Sequence, residues 1–243
     1  MSSDEVQHLK EGDPEPTVNP DKFTLYDMHF CPFCQRVRYT LDYHQIPYDR
    51  ILISPDSKPS WYLQRNSSGR VPLLLYKNEK HIQSNDIMKF VDEFKGTEAS
   101  LLNVCGEEGF KKALDLASSI AHSRYKLCYT PDATKADADA LKASLSNIDK
   151  AIMGPYLMGE ELSLADLALF PFLNAWDIMM SRVLKVDSAS GDSVETVASQ
   201  WPNVVKYHQL MSQKPYIMKT AFHDNAFAEF LDTQMAKRPA VKS

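Results

Sequence analysis

Residues 22–41 read KFTLYDMHFCPFCQRVRYTL, and two structural periods meet inside them. Phe23 and Leu25 alternate with their neighbours as in a strand. From Phe33 onward, Phe33, Val37 and Leu41 recur every four residues, which is one face of a helix. Cys31-Pro32 stands at the change of period. Proline is best tolerated in the first turn of a helix, so the helix is predicted to open there, with the Cys31 thiol at its N-terminus. Unpaired N–H groups and the positive end of the helix dipole both favour a thiolate in that position. In such settings a thiol pKa falls from ~8.5 to between ~3.5 and ~7.5. The thiolate is the species that attacks a disulfide, so Cys31 is the candidate nucleophile. Cys34, one turn on, is a possible resolving thiol. A C-x-x-C pair can also be half of a zinc site or a buried structural pair. Cys105 and Cys128 supply no second C-x-x-C, so no metal site is expected.

Outward from this stretch the punctuation is regular. Ile46-Pro47 ends the helix and YDRILIS (48–54) reads as a second strand. Pro55 and Pro59 mark a loop, followed by a short helical segment around Trp61. A turn at Ser67-Ser68-Gly69 precedes the strand LLLY (73–76), and Lys77 to Lys80 form a hairpin into a fourth strand at 81–83. Ile87, Phe90, Val91 and Phe94 then give a helical face that starts at Ser84, with Gly96 as its C-cap. The order is β-α-β-α-β-β-α. No convincing strand follows. Leu114, Ala117, Ile120 and Ala121 mark one helix, and Leu141, Leu145, Ile148 and Ile152 another. Ser163 to Asp166 has the form of a capping box and opens an apolar helix that Pro171 is expected to kink. Further helices are expected at 201–213 and 224–236. The predicted organisation is a flexible arm (1–20), an α/β domain (21–97), a linker (98–106), an all-helical domain (107–236) and a tail (237–243).

Of the 243 residues, 44% are hydrophobic and 24% charged, which is enough apolar material for two cores. The net charge of −5 and the lack of a Lys/Arg cluster argue against a nucleic-acid partner. The first twenty residues are polar and acidic, unlike a signal peptide. No run of eighteen apolar residues occurs, so no stable membrane insertion is expected. A cytoplasmic setting with reduced thiols is the expectation.

Three more positions carry possible chemistry. Val71-Pro72 is either an ordinary trans proline opening an edge strand or a cis bond that turns the Val71 backbone towards a ligand. Beside C-P-F-C the cis reading is preferred. Ser84 at a helix N-cap either caps the helix or helps to bind a carboxylate. Lys58 is a surface lysine that by itself signals only solvation.

Taken together, CPFCQRV, KPSWYLQRNSSGRVPLLL, HIQS and GEELSLADLALFPF, in this order and spacing, resemble a cytosolic glutathione transferase over roughly residues 20 to 235. The Cys-Pro-Phe start and the Lys-Pro-x-Trp segment are similar to the omega class, with the plant lambda class next. The resemblance implies a thioredoxin-like N-terminal domain, an all-α C-terminal domain and a homodimer. It implies that Cys31 forms a mixed disulfide with glutathione, a co-substrate. Phe33 would lie beside the thiol. Val71, before Pro72, would pair with the cysteinyl backbone of glutathione. Ser84 would bind the γ-glutamyl carboxylate, and Lys58 would lie near the glycyl carboxylate. Two positions depart from the pattern. Gln83 stands where the family usually has Glu, and Cys34 where omega proteins usually have Ala. The implied activity is that of a thioltransferase and dehydroascorbate reductase, with dehydroascorbate or glutathionylated thiols as second substrates. Conjugation of electrophiles and a non-enzymatic role like that of chloride intracellular channel proteins are the alternatives. The second-substrate site would lie between the domains, with Tyr125 and Trp176 as candidates, although such aromatics are more often core.

Overall fold

The computed structural model describes residues 7–188, 191–222 and 224–237. It divides between Ser100 and Leu101 into two compact units. Beyond Lys237 the expected tail lies outside the described residues, as do the first six residues of the expected arm.

The first unit is a four-stranded mixed sheet in the order β2-β1-β3-β4. β1 is Phe23–Asp27, β2 Tyr48–Leu52, β3 Leu73–Tyr76 and β4 Glu79–Ile82. β2 runs parallel to β1, while β3 is antiparallel to both β1 and β4. The parallel pair needs a crossover, and α1 (Pro32–Tyr43) supplies it. α2 (Ser60–Arg65) and α3 (Ser84–Glu93) complete the unit. The hairpin between β3 and β4 has two residues, Lys77 and Asn78, both at positive φ (48° and 64°). That backbone twist matches the twist of the paired strands.

Alternation along the strands divides the core in two. Phe23, Leu25 and Leu74 point to one face and pack with Val37 and Leu41 of α1 and Ile87 and Val91 of α3. Tyr26, Leu73 and Leu75 point to the other face and pack with Ile51, Ile53 and Tyr62. The long-period residues of the sequence thus meet the short-period ones on a single surface. A buried polar clamp fixes α1 to α3. His44 Nε2 and Asp92 Oδ1 lie 2.7 Å apart, and Ser100 Oγ donates to Asp92 Oδ2 at 2.6 Å.

The described part of the expected flexible arm is instead docked. Leu9 forms a parallel bridge with Ile53 and packs on the Tyr26 cluster. Its N–H donates to Leu52 O, and its carbonyl accepts from Ser54 N–H. Glu11 accepts from both the N–H and the hydroxyl of Ser60, Trp61 Nε1 donates to Asp13 O, and Glu15 pairs with Arg65. The polar composition that suggested disorder is used for specific pairing, which composition alone does not report.

The second unit is helical: α4 (Leu102–Tyr129), α5 (Lys135–Ala151), α6 (Leu164–Leu169), α7 (Trp176–Val186), α8 (Val194–Ala198), α9 (Pro202–Ser212), α10 (Pro215–Met218) and α11 (Asp224–Ala236). Part of the expected linker is already helix, because α4 starts at Leu102 and is interrupted only by Gly106 (φ 63°). At the start of α6 the Asp166 carboxylate accepts from Ser163 N–H and Oγ–H and from Leu157 N–H, at 2.8 Å each. Pro171 ends this helix rather than kinking it. A 3-10 turn over Phe170–Phe172 follows, and α7 begins afresh at Trp176. Among the described residues no single helix is long and apolar enough to cross a membrane.

The docked arm gives a direct test. Under native conditions trypsin is expected to spare the Lys10–Glu11 bond. Leu9→Asp, which sets a charge against the Tyr26 cluster, should open that bond to cleavage. Rapid cleavage after Lys10 in the parent chain, followed by mass spectrometry, would contradict the docking.

Candidate functional site

The site begins at the carboxyl end of β1. Asp27 is fully buried there, in a position where an isolated carboxylate is costly. Arg38, one and a half turns into α1, donates to both its oxygens from Nη1 at 2.8 and 2.9 Å. Arg50 on β2 donates to Oδ2 from Nε at 2.8 Å. Burial makes ionising Asp27 harder, but the two guanidinium groups outweigh it and hold the carboxyl below the usual carboxylate range. The same groups organise the loop to Cys31. Asp27 Oδ1 accepts from Met28 N–H at 2.7 Å, and Arg38 Nη2 donates to His29 O at 3.0 Å. His29 N–H donates to His8 Nε2 of the docked arm at 3.2 Å. Burial, reinforced by Arg38 and Arg50, lowers the His29 pKa to about 4, so its ring is neutral at pH 7.

Cys31 is the N-cap residue of α1, with Pro32 in the first turn. Its carbonyl accepts from Gln35 N–H at 3.0 Å, and its own N–H donates to Met28 O at 3.0 Å. Cys31 is partly exposed, whereas Cys34 is buried; both are free thiols. The two differ in acidity. A hydrogen bond from the Cys34 thiol leads the effects that hold Cys31 below the ordinary thiol value, against the burial that would raise it. Burial pushes Cys34 well above that value, and the neighbouring Cys31 adds to the rise. Of the pair, Cys31 is thus the more easily ionised and Cys34 the one that keeps its proton.

Cys31 opens into a cavity of about 510 Å³. Phe33, Lys58, Val71, Pro72, Gln83 and Ser84 line it too, so seven residues singled out in the sequence converge on one hollow. The Val71-Pro72 bond is cis, and the β3 ladder begins only at Leu73. The loop before it is tied down at one carbonyl: Arg70 O accepts from Tyr62 Oη at 2.6 Å and from Asn66 Nδ2 at 2.8 Å. Gly69 lies at φ 63°, and a Cβ there would press on Leu63 and on the stem of Lys58 at 3.1 and 3.3 Å. Lys58 Nζ donates to Pro55 O at 3.0 Å, which bends its cation back over the loop.

Ser84 differs from its expected position by one residue. Gln83, at φ 68°, takes the N-cap place of α3, and Ser84 is the first helical residue. Its hydroxyl does not cap the helix; Oγ accepts from Arg36 Nη1 at 3.3 Å. Tyr125 and Trp176 belong to the helical unit. Tyr125 is 44% exposed and stacks on Tyr129, while Trp176 is 7% exposed and packs its ring near Trp201 and His208. The Trp176 ring is thus core of that unit. Among the described residues no group of three or more His, Cys, Asp or Glu side chains is arranged to hold a metal ion.

Sequence reading passed over Asp27, Arg36, Arg38 and Arg50. One signal for Arg38 was present: it shares the Cys34–Leu41 face of α1 at spacings of four and three. A charge on an apolar stripe asks for a buried partner, and Asp27 is the acid at the end of the adjoining strand.

This cluster predicts both a stability and a pH effect. Arg38→Met leaves Asp27 with Arg50 as its one remaining cation and is expected to cost about 3–5 kcal/mol in urea unfolding. Because the folded-state pKa of Asp27 is depressed, its contribution is complete above the ordinary carboxylate range and is lost as pH falls through the lower folded value. Asp27→Asn should flatten that acid limb. An unchanged acid limb would show that the cluster does not carry it.

Two family profiles match the chain. That described as "Glutathione S-transferase, N-terminal domain" covers residues 25–98, and "Glutathione S-transferase, C-terminal domain" covers residues 131–210. Pyrimidodiazepine synthase of Drosophila melanogaster is 27% identical over 96% of this chain and 95% of its own. Glutathione S-transferase DHAR2 of Arabidopsis thaliana is 32% identical over 63% of this chain and 70% of its own. In structure, glutathione transferase Omega 3C from Trametes versicolor superposes with a TM-score of 0.69 at 21% identity, covering 90% of this chain and 92% of that one. The trimeric Leishmania glutathione transferase TDR1 gives 0.73 at 22% identity over 88% of this chain, which spans 47% of that longer chain. Two matched domains in the right order, a relative above 30% identity and a shared two-unit fold agree: the chain belongs to the glutathione S-transferase family.

Proposed function

We propose that the protein is a glutathione-dependent thioltransferase and dehydroascorbate reductase in which Cys31 is the nucleophile. The observation that carries this reading is the place of Cys31, a partly exposed N-cap thiol of lowered pKa on the wall of the cavity shared with Val71 and Ser84. In a conjugating transferase the protein only has to activate bound glutathione. A cysteine thiolate at the same point is itself the stronger candidate to form a bond with sulfur.

The steps follow from the acidity of the pair. The Cys31 thiolate attacks the glutathionyl sulfur of a mixed disulfide R–S–SG. The Cys31–SG bond forms, the S–S bond between RS and SG breaks, and RS⁻ leaves and takes a proton from solvent. A second glutathione, as thiolate, attacks the Cys31-bound sulfur, which releases oxidised glutathione and restores the Cys31 thiolate. With dehydroascorbate, two glutathione molecules supply the two electrons and two protons, giving ascorbate and oxidised glutathione. Val71 lends its backbone to the cysteinyl unit, Ser84 binds the γ-glutamyl carboxylate, and Lys58 faces the glycyl carboxylate. Gln83 is uncharged, so it contributes a hydrogen-bond acceptor for the γ-glutamyl ammonium and no counter-charge.

Cys34 stays a thiol in this cycle. Its buried, high-pKa S–H donates to the Cys31 thiolate and is a poor attacking group at neutral pH. External glutathione therefore resolves the intermediate. The protein works as a homodimer in the cytosol, where its cysteines remain reduced.

Cys31→Ala should abolish thioltransferase and dehydroascorbate reductase activity with the fold intact by circular dichroism. Retained disulfide exchange in that variant would overturn the reading. Cys34→Ala should leave turnover under excess glutathione within about threefold. It should also move the pH midpoint of Cys31 alkylation upward, because the thiolate loses an S–H donor. A tenfold fall in turnover, with the Cys31–glutathione adduct accumulating by mass spectrometry, would instead make Cys34 the resolving thiol.

A further inference from the structure

Arg36 is a buried charge for which the proposed thiol cycle has no use. It is 5% exposed, on α1 one turn beyond the cavity wall, and it does not line the cavity itself. Its Nη1 donates to Ser84 Oγ at 3.3 Å, and its guanidinium carbon lies 5.4 Å from the centre of the Phe33 ring. Ser84 and Phe33 both wall the cavity beside Cys31. Two chemical facts give this arrangement a direction. A guanidinium has donors only, and a hydroxyl has a single proton. Once Ser84 Oγ accepts from Arg36, its own proton remains for an acceptor on the cavity side, and a carboxylate offers nothing else.

Charge points the same way. Among the described residues the Lys, Arg, Asp and Glu side chains lining the cavity are Lys58 and Arg70 alone, Cys31 being the one anion of the proposed cycle, and Gln83 beside Ser84 is neutral. A buried guanidinium behind the hydroxyl adds a positive charge that solvent screens weakly. Burial lowers the Arg36 pKa to about 10, so it remains a cation at neutral pH, while the nearby Cys31 works to raise it.

We infer that Arg36 is a positioning residue for the substrate carboxylate, orienting the Ser84 hydroxyl as a donor and holding a fixed positive charge behind it. The ligand class is a thiol or disulfide that carries an α-carboxylate on its γ-glutamyl end. The inference rests on the reading of this cavity as the glutathione site.

The test compares two thiol substrates in the thioltransferase assay on the full chain. One is glutathione. The other is 4-aminobutanoyl-cysteinylglycine, which lacks only the α-carboxylate. Arg36→Met is expected to raise KM for glutathione ~10- to 100-fold, the loss of a charge-assisted hydrogen bond, with kcat within about threefold. KM for the analogue should hardly change. Arg36→Lys should recover part of the loss. The double variant Arg36→Met/Ser84→Ala should be little worse than either single one, since both break the same chain of donors. Equal losses for both substrates would make Arg36 a structural residue and overturn the inference, as would an unchanged KM for glutathione. Should Arg36→Met not fold, Ser84→Ala alone must show the same discrimination, and its absence overturns the inference equally. A parent chain that does not turn over glutathione, or one whose Cys31→Ala variant keeps full activity, fails the underlying reading instead. Those two results are separate from any Arg36 measurement.

Discussion

The buried contact between Asp27 and the guanidinium groups of Arg38 and Arg50 is the constraint on which the first unit turns. It joins β1, α1 and β2 at a single carboxylate, and Arg38 also holds the carbonyl of His29, two residues before Cys31. Burying a carboxylate is expensive, and the two guanidinium groups offset that cost. The same carboxylate works against ionisation of Cys31, while Arg38 eases that of Cys34, so the cluster that secures the crossover also reaches the sulfur pair above it.

The asymmetry within the thiol pair follows from depth. Cys31 sits at the helix start, where the backbone N–H groups of Phe33 and Cys34 face its sulfur, whereas Cys34 is buried. An identical side chain thus has its acidity raised in one place and suppressed in the other. The cavity adds a second division of labour. The loop that leads to Val71 is pinned through the Arg70 carbonyl by Tyr62 and Asn66. The Ser84 side is instead pinned from behind, by Arg36. One wall is held by neutral hydrogen bonds and the other by charge.

Much of this was legible in the chain. The change of period at Cys31-Pro32, the turn residues around 67–69 and 77–78 and the box at Ser163 are local signals, and they located the strands and the helix start that carries Cys31. The misses are of another kind. The box marked where α6 begins, but whether Pro171 would bend or end the helix depended on packing inside the helical unit. Ser84 was placed one residue off because its hydroxyl bonds to Arg36, 48 residues away, and not to its own helix. Residues 7–20 looked like a solvated arm because Glu11, Asp13 and Glu15 read as charge, while their partners Ser60, Trp61 and Arg65 lie about fifty residues on. Periodicity reports which face a residue occupies; it does not report which distant group will meet it there.

The docked arm has a consequence for how the molecule behaves among its own copies. In the order β2-β1-β3-β4 the strand β2 is an edge, and a bare edge offers hydrogen-bonding groups to any extended chain. At the other border, β4 is four residues long and carries Glu79, Lys80 and His81, which discourage such pairing. β2 continues into apolar Ile51, Leu52 and Ile53 and has less protection of that sort. Leu9 supplies it, with its N–H on Leu52 O and its carbonyl on Ser54 N–H. The amino-terminal segment is therefore a stopper on the sheet, and trimming it for convenience would expose a sticky border and remove the Leu9 carbonyl from Ser54 on the cavity wall.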